Sequence, residues 1–143
     1  LLAAFELSRR VASLMPGDRA VIRSASDVHN LLGAGLAEET QEQLRVVLLN
    51  TKGEVLQVKD VYRGTVDESV VRVAEVLRPA VRENCPTIVM VHNHPSGDPT
   101  PSKADIEMTK EVRDAGAKLG IVLHDHLIMT RAGHASFKEI RLL

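Results

Sequence analysis

Tryptophan is absent, and two phenylalanines and one tyrosine are the only other aromatics in 143 residues. Base stacking on aromatic side chains therefore has almost nothing to use, and the core has to be built from Leu, Val, Ile and Ala. A single cysteine, Cys85, excludes an internal disulfide and suits a reducing cytoplasm. With no second cysteine or neighbouring cluster to make it a ligand, Cys85 reads as a small buried residue at the start of a strand. Charge bias is also missing: 18 basic against 19 acidic residues leave a net charge of −1 and a pI near 6.7. Arg9-Arg10 is the one adjacent basic pair, so the chain as a whole has no electrostatic pull towards nucleic acid or a membrane surface. No run approaches the ~18 apolar residues of a membrane span, and no segment has the pattern of a cleavable secretion signal. The expected location is the cytoplasm.

A chain of this length is most simply one domain with a real core. It opens on Leu1 rather than Met and reads as a piece of something longer. Apolar residues at helical spacing over Leu1–Met15, ended by Pro16-Gly17-Asp18, predict the tail of an upstream helical region over 1–17. The domain proper is expected over 18–143. Ser26 is placed to cap a short helix through Leu32, with Gly33 and Gly35 ending it and His29 on its surface. Glu38–Leu44 reads as a polar helix end or loop, and Arg45-Val46-Val47-Leu48-Leu49-Asn50 as a strand. Asn50–Glu54 is a hairpin turn with Gly53 available for a positive φ, and Val55–Arg63 returns as a second strand. Glu68–Asn84 carries an apolar helical face, with Pro79 inside it as a kink or as the start of a second helix. Thr87–Val91 is a buried strand, Lys103–Leu119 a helix ended by Gly120, and Ile121–Met129 another buried strand. Gly133 then turns the chain into a last short strand and helix end, with His134 in the solvated turn. The alternation predicts an α/β domain, an α+β mixed sheet flanked by helices.

The chemistry is concentrated in Val91-His92-Asn93-His94-Pro95-Ser96-Gly97-Asp98-Pro99-Thr100-Pro101-Ser102-Lys103-Ala104-Asp105. Side chains two apart on a strand share a face, so His92 and His94 point the same way. A loop with three prolines leads to Ser102, and Asp105 falls in the first turn of the next helix. Two imidazoles and a carboxylate, each on a regular element, can converge with a fourth position open, which is the arrangement of a catalytic zinc site. Ser102-x-x-Asp105 is equally a capping box, in which both side chains serve backbone N–H groups. Both readings of Asp105 stand on the residues alone. A second His-x-His, His124-Asp125-His126, has no acid at a comparable helix start. Packing, or orienting a metal-bound histidine through its free ring N–H, suits it better than ligation.

The pattern His-x-His, seven residues, Ser, two residues, Asp resembles that of the JAMM (MPN+) metallohydrolases, met here by His92, His94, Ser102 and Asp105. The wording His-Asn-His-Pro-Ser-Gly-Asp-Pro-Thr-Pro-Ser is similar to the bacterial RadC branch, and the resemblance runs over about 18–143. It implies a JAMM/MPN-like fold with cytidine-deaminase-like layering and one Zn²⁺ per chain on His92, His94 and Asp105. It also implies a general base in a glutamate just before the first long strand. Among Glu38, Glu39, Glu42 and Glu54, Glu42 matches that place. Ser102 is implied to stabilise an oxyanion, and Asp125 with His126, a pair recurrent in this strand, to lie near the site. Asn93 departs from the Ser or Thr of deubiquitinating members, which tells against ubiquitin-like substrates rather than against the metal.

The expected activity is zinc-dependent hydrolysis of an amide bond, by a metallopeptidase or isopeptidase acting on a peptide or protein. Two rivals are a DNA-repair-associated accessory protein, suggested by the family name alone, and a scaffold that keeps the metal without turnover. Neither the substrate nor an oligomeric state is set by the sequence.

Overall fold

The computed structural model describes residues 18–64 and 72–143. The helix expected over Leu1–Met15 and the first residues of the one expected from Glu68 lie outside them. Five strands form one sheet: β1 (Glu42–Leu49), β2 (Val55–Gly64), β3 (Thr87–Asn93), β4 (Val122–Thr130) and β5 (Gly133–Ser136). Their order across the sheet is β2-β1-β3-β4-β5, with β3 and β4 parallel and every other pair antiparallel. β1 is buried from Gln43 to Leu49 and β3 from Ile88 to Asn93, as the mostly apolar inner strands of a sheet covered on both faces should be.

Alternation along β1 and β3 sends side chains into two cores. Val47, Leu49, Val89 and Val91 pack with Val28, Leu32 and Leu36 of the helical segment before β1. Leu44, Val46, Leu48, Ile88 and Met90 pack on the other face with α3 (Val73–Arg82) and α4 (Lys103–Lys118). Each fully buried Val, Leu or Ile contributes roughly 1.5–3 kcal/mol relative to exposure, so two aliphatic layers suffice without aromatics. Among the described residues, Phe137 is the one Phe or Tyr side chain that is fully buried. Cys85 is buried as expected, and its thiol donates to the Leu49 and Thr87 carbonyls at 2.9 and 3.2 Å. The mixed sheet flanked by helices is the architecture expected from the alternating pattern.

Several local expectations shift. The segment before β1 is capped at Ser24, two residues earlier than Ser26, with the Asp27 carboxylate accepting the Arg23 and Ser24 N–H groups. It does not end at Gly33: α1 (Ala25–Val28) widens into a π turn (His29–Gly33) and continues as α2 (Ala34–Ala37). A Cβ on Gly33 would lie 3.0 Å from the His29 ring, so the missing side chain lets that imidazole rest against the backbone. His29 is half-buried and reaches His134, with Nδ1 atoms 3.3 Å apart, so neither histidine is simply solvated. Pro79 does not begin a second helix, because Val73–Arg82 is one helix. At the hairpin, Gly53 has φ +78° and the Asn50 side chain accepts the Lys52 and Glu54 N–H groups. β1 starts at Glu42, three residues before Arg45, which makes Glu42 a strand residue rather than part of a loop.

Two glycines make the packing testable. A Cβ on Gly116 of α4 would stand 2.7 Å from the Ile121 carbonyl oxygen, while Gly35, at an exposed position of α2, has nothing within 4 Å. Gly116→Ala is expected to lose about 1–3 kcal/mol, and Gly35→Ala to gain ~0.4–1 kcal/mol. Urea unfolding of the two variants beside the parent checks both signs.

Candidate metal centre

Four side chains meet where β1 begins, β3 ends and α4 starts. The donor atoms of Glu42, His92, His94 and Asp105 all lie within 4.8 Å of one another. His92 and His94 face each other with Nε2 atoms 2.9 Å apart. Asp105 spans them, with Oδ1 at 3.4 Å from His92 Nε2 and Oδ2 at 3.2 Å from His94 Nε2. Glu42 stands further off, its Oε1 at 3.7 and 4.0 Å from the same nitrogens. His92 and Asp105 are buried, while Glu42 and His94 are partly exposed, which leaves the centre open on one side.

Backbone groups fix these side chains. His94 Nδ1 lies 2.9 Å from the Asp98 carbonyl oxygen, which can only accept, so Nδ1 carries the proton and Nε2 turns a lone pair inward. The loop that supplies this carbonyl turns at Gly97, φ +89°, whose N–H donates to His94 O, and Asp98 Oδ1 accepts the Thr100 N–H. Asp105 Oδ2 accepts the Ser102 N–H at 2.8 Å, and Ser102 Oγ accepts the Asp105 N–H at 3.0 Å. The two readings of Asp105 are thus compatible: one carboxylate closes the capping box and faces both histidines. Burial pushes its carboxyl up, but when the two imidazoles are protonated their hydrogen bonds from Nε2, and the charge on His92, outweigh burial and hold it far below the ordinary carboxylate range. For His94, burial pushes the pKa down, while the bonds to Asp105 and Asp98 prevail and raise it.

This donor set fits a metal ion. Zinc with N or O ligands at about 2.0–2.1 Å in a tetrahedron sets neighbouring donors about 3.3 Å apart. Each Asp105 oxygen lies near that value from one histidine, Oδ1 from His92 and Oδ2 from His94, and the histidine pair is a few tenths of an ångström shorter. The Glu42 contacts, at 3.7 and 4.0 Å, are a few tenths of an ångström longer, so all four side chains are placed to share one ion, with Glu42 the most distant donor.

The second His-x-His divides. β3 and β4 pair Ile88 with Leu123 but Val89 with Asp125, so His124 is the extra residue of a β-bulge. Leu123 faces α3 and α4, and the bulge returns His126 to that same face. There His126 Nε2 lies 2.6 Å from His92 Nδ1, His126 Nδ1 lies 2.7 Å from Thr109 Oγ1, and Phe137 stacks at 4.5 Å. Burial pushes the His126 imidazole well below its usual range and keeps it neutral. Asp125 does not join the centre. Its carboxylate accepts from Ser136 Oγ and from the backbone N–H groups of His126 and Lys138, beside a cavity on the opposite face that His124 also lines. The expected pair is thus split by one inserted residue.

Two contributors escaped the sequence reading. Asn93 is buried, and its Oδ1 accepts the Gln43 N–H at 2.7 Å while its Nδ2 donates to Gln41 O at 3.0 Å. One side chain therefore clamps the backbone on both sides of Glu42. Its position between the two histidines, on the opposite face of β3, was the available signal. Thr109 lies four residues after Asp105, on the same face of α4, but its link to His126 depends on the bulge.

Against known proteins, residues 22–142 match the family model of the RadC-like JAB domain. This chain is a member of the RadC family. A UPF0758 protein of Chloroflexus aurantiacus is 45% identical over 137 residues, 96% of this chain and 60% of the relative. Others from Clostridium novyi and Bacillus licheniformis are 41% and 42% identical, covering 100% and 97% of this chain and 63% and 62% of theirs. The chain spans about 60% of the length of these curated relatives. The five-stranded mixed sheet with flanking helices agrees with the JAB/MPN fold, and the RadC-like domain carries a group able to hold a metal. Among the described residues, no helix is long and apolar enough to cross a membrane.

The double duty of Asp105 separates by substitution. Asp105→Asn keeps an acceptor for the Ser102 N–H but removes the charge, so metal affinity should fall at least tenfold with stability within about 1 kcal/mol of the parent. Asp105→Ala should lose the metal and about 1 kcal/mol as well. Calorimetric metal titration and urea unfolding of both variants provide the check.

Proposed function

We propose that this RadC-family domain is a zinc-dependent hydrolase that cleaves an amide bond in a peptide or protein, with His92, His94 and Asp105 holding one zinc ion. The observation that carries the proposal is the spacing of the four donors, three close together and Glu42 standing off. Zinc held there supplies a Lewis acid, which polarises a carbonyl and lowers the pKa of water.

The chain's own residues do the rest. Glu42 Oε1, half-exposed and about one water's width from the histidine nitrogens, takes a proton from the attacking water. Water oxygen adds to the carbonyl carbon, the C–N bond breaks, and Glu42 returns its proton to the departing nitrogen. Ser102 Oγ accepts the Asp105 N–H, so its own proton is left to donate to the developing oxyanion. Asn93 keeps Glu42 at this distance by gripping the strand on either side of it. A cavity of about 240 Å³ adjoins the centre, between Leu44 and Tyr62 on the sheet and Met108 and Glu111 on α4. It offers a part-apolar seat for the residue flanking the scissile bond.

Zinc content and turnover together test the reading. The parent should hold about one zinc per chain, and Glu42→Gln should keep the metal while cutting peptide-library cleavage, read by mass spectrometry, by ~10²–10⁴-fold. A parent that takes up no zinc from supplemented medium would refute the metal assignment. Zinc bound with no difference between parent and Glu42→Gln would leave a scaffold in place of an enzyme.

A further inference from the structure

The hydrogen bonds behind His92 have only one consistent direction. Thr109 Oγ1 lies 2.6 Å from the backbone oxygen of Asp105, which has no proton to give. The hydroxyl therefore donates to it, the usual bond of a Thr to the carbonyl four residues back in a helix. With its single proton used, Thr109 turns lone pairs towards His126 Nδ1 at 2.7 Å, and that nitrogen must be the donor. His126 Nε2 is then an acceptor, and the 2.6 Å contact to it requires a proton on His92 Nδ1. His92 is left with a bare Nε2, facing His94 and Asp105. Reversing the chain would set two oxygens 2.6 Å apart with no proton between them, inside the protein.

We infer that Thr109 and His126 are positioning residues that fix the tautomer of His92 and so make its Nε2 a ligand. The inference deepens the metal assignment above and rests on it. An imidazole beside a carboxylate, left to itself, favours an N–H pointed at that carboxylate. For His92 this would put a proton on Nε2, 3.4 Å from Asp105 Oδ1, where a lone pair is needed. The relay opposes that choice. It also closes a ring: it starts at the Asp105 carbonyl, passes through Thr109, His126 and His92, and returns to the Asp105 carboxylate. The orientation of a β3 ligand is thereby tied to the first turns of α4. His126 and Thr109 are fully buried, and Phe137 stacks on the His126 ring, so neither has room to turn away.

Nitrogen-15 NMR of the metal-free domain, at a pH where its imidazoles are neutral, reads the tautomers directly. His92 and His126 should both be protonated at Nδ1. In Thr109→Val, which keeps the shape and removes the hydroxyl, His92 should shift towards the Nε2–H form and zinc affinity should fall about 10–100-fold. Thr109→Ser should restore both, a rescue that mere core packing would not produce. Should Thr109→Val fail to fold, His126→Gln, which keeps an acceptor for His92 Nδ1–H, should bind zinc at least tenfold more tightly than His126→Met. Nε2-protonated His92 in the parent, or undiminished zinc affinity in a folded Thr109→Val, would overturn the inference. A parent with the expected tautomers and no zinc binding would instead refute the metal assignment and leave the hydrogen-bond relay standing.

Discussion

Four electron-pair donors have to be held within a few ångströms of one point, and left to themselves they would move apart. Two histidine lone pairs face each other at 2.9 Å between two carboxylates. Like-directed lone pairs repel, and a half-buried carboxylate loses hydration that its neighbours must replace. The sheet supplies the holding force. β3 is ladder-bonded on both sides, antiparallel to β1 with Leu44 opposite His92, and parallel to β4 with Ile128 opposite His92. Glu42 sits two residues before Leu44 on β1, so one register sets both Glu42 and His92. Moving that register by one residue would turn His92 to the opposite core.

The second means of control is the use of backbone groups as partners. The Asp98 carbonyl orients His94, the Ser102 N–H orients Asp105, and the Asp105 carbonyl anchors Thr109. Asn93 grips the backbone around Glu42 rather than its side chain. Backbone dipoles in a proline-rich loop, a helix start and strand ends change little in direction. Donors aimed in this way are preorganised, the condition under which electrostatic stabilisation is most effective.

The parts of the site carried by regular spacing were legible in the sequence. His92 and His94 share a strand face, and Asp105 sits where Ser102 opens a helix, because both statements need only a period of two and a capping pattern. Glu42 was reached through family resemblance. Its strand position was missed because the strand runs on before Arg45 through Gln43, which is buried but looks like a surface residue in the sequence. Arg45 is tolerated inside by Asp60 at 3.1 Å and Gln43 at 3.3 Å, pairings that a linear reading does not reveal. The fate of His124-Asp125-His126 was equally hidden. Alternation predicts that the two histidines share a face, and a one-residue bulge in the pairing with β3 sends His126 to the metal ligands and Asp125 to the opposite side.

The choice of Asp over Glu at position 105 follows from the same geometry. A capping box commonly uses Glu, whose longer side chain bends back to the N-cap N–H. Asp105 makes that bond at 2.8 Å with Oδ2 and still turns Oδ1 towards His92. The short side chain lets one carboxylate close the capping box and face both histidines, so a pattern that reads as ordinary helix punctuation also places an acid at the candidate metal centre.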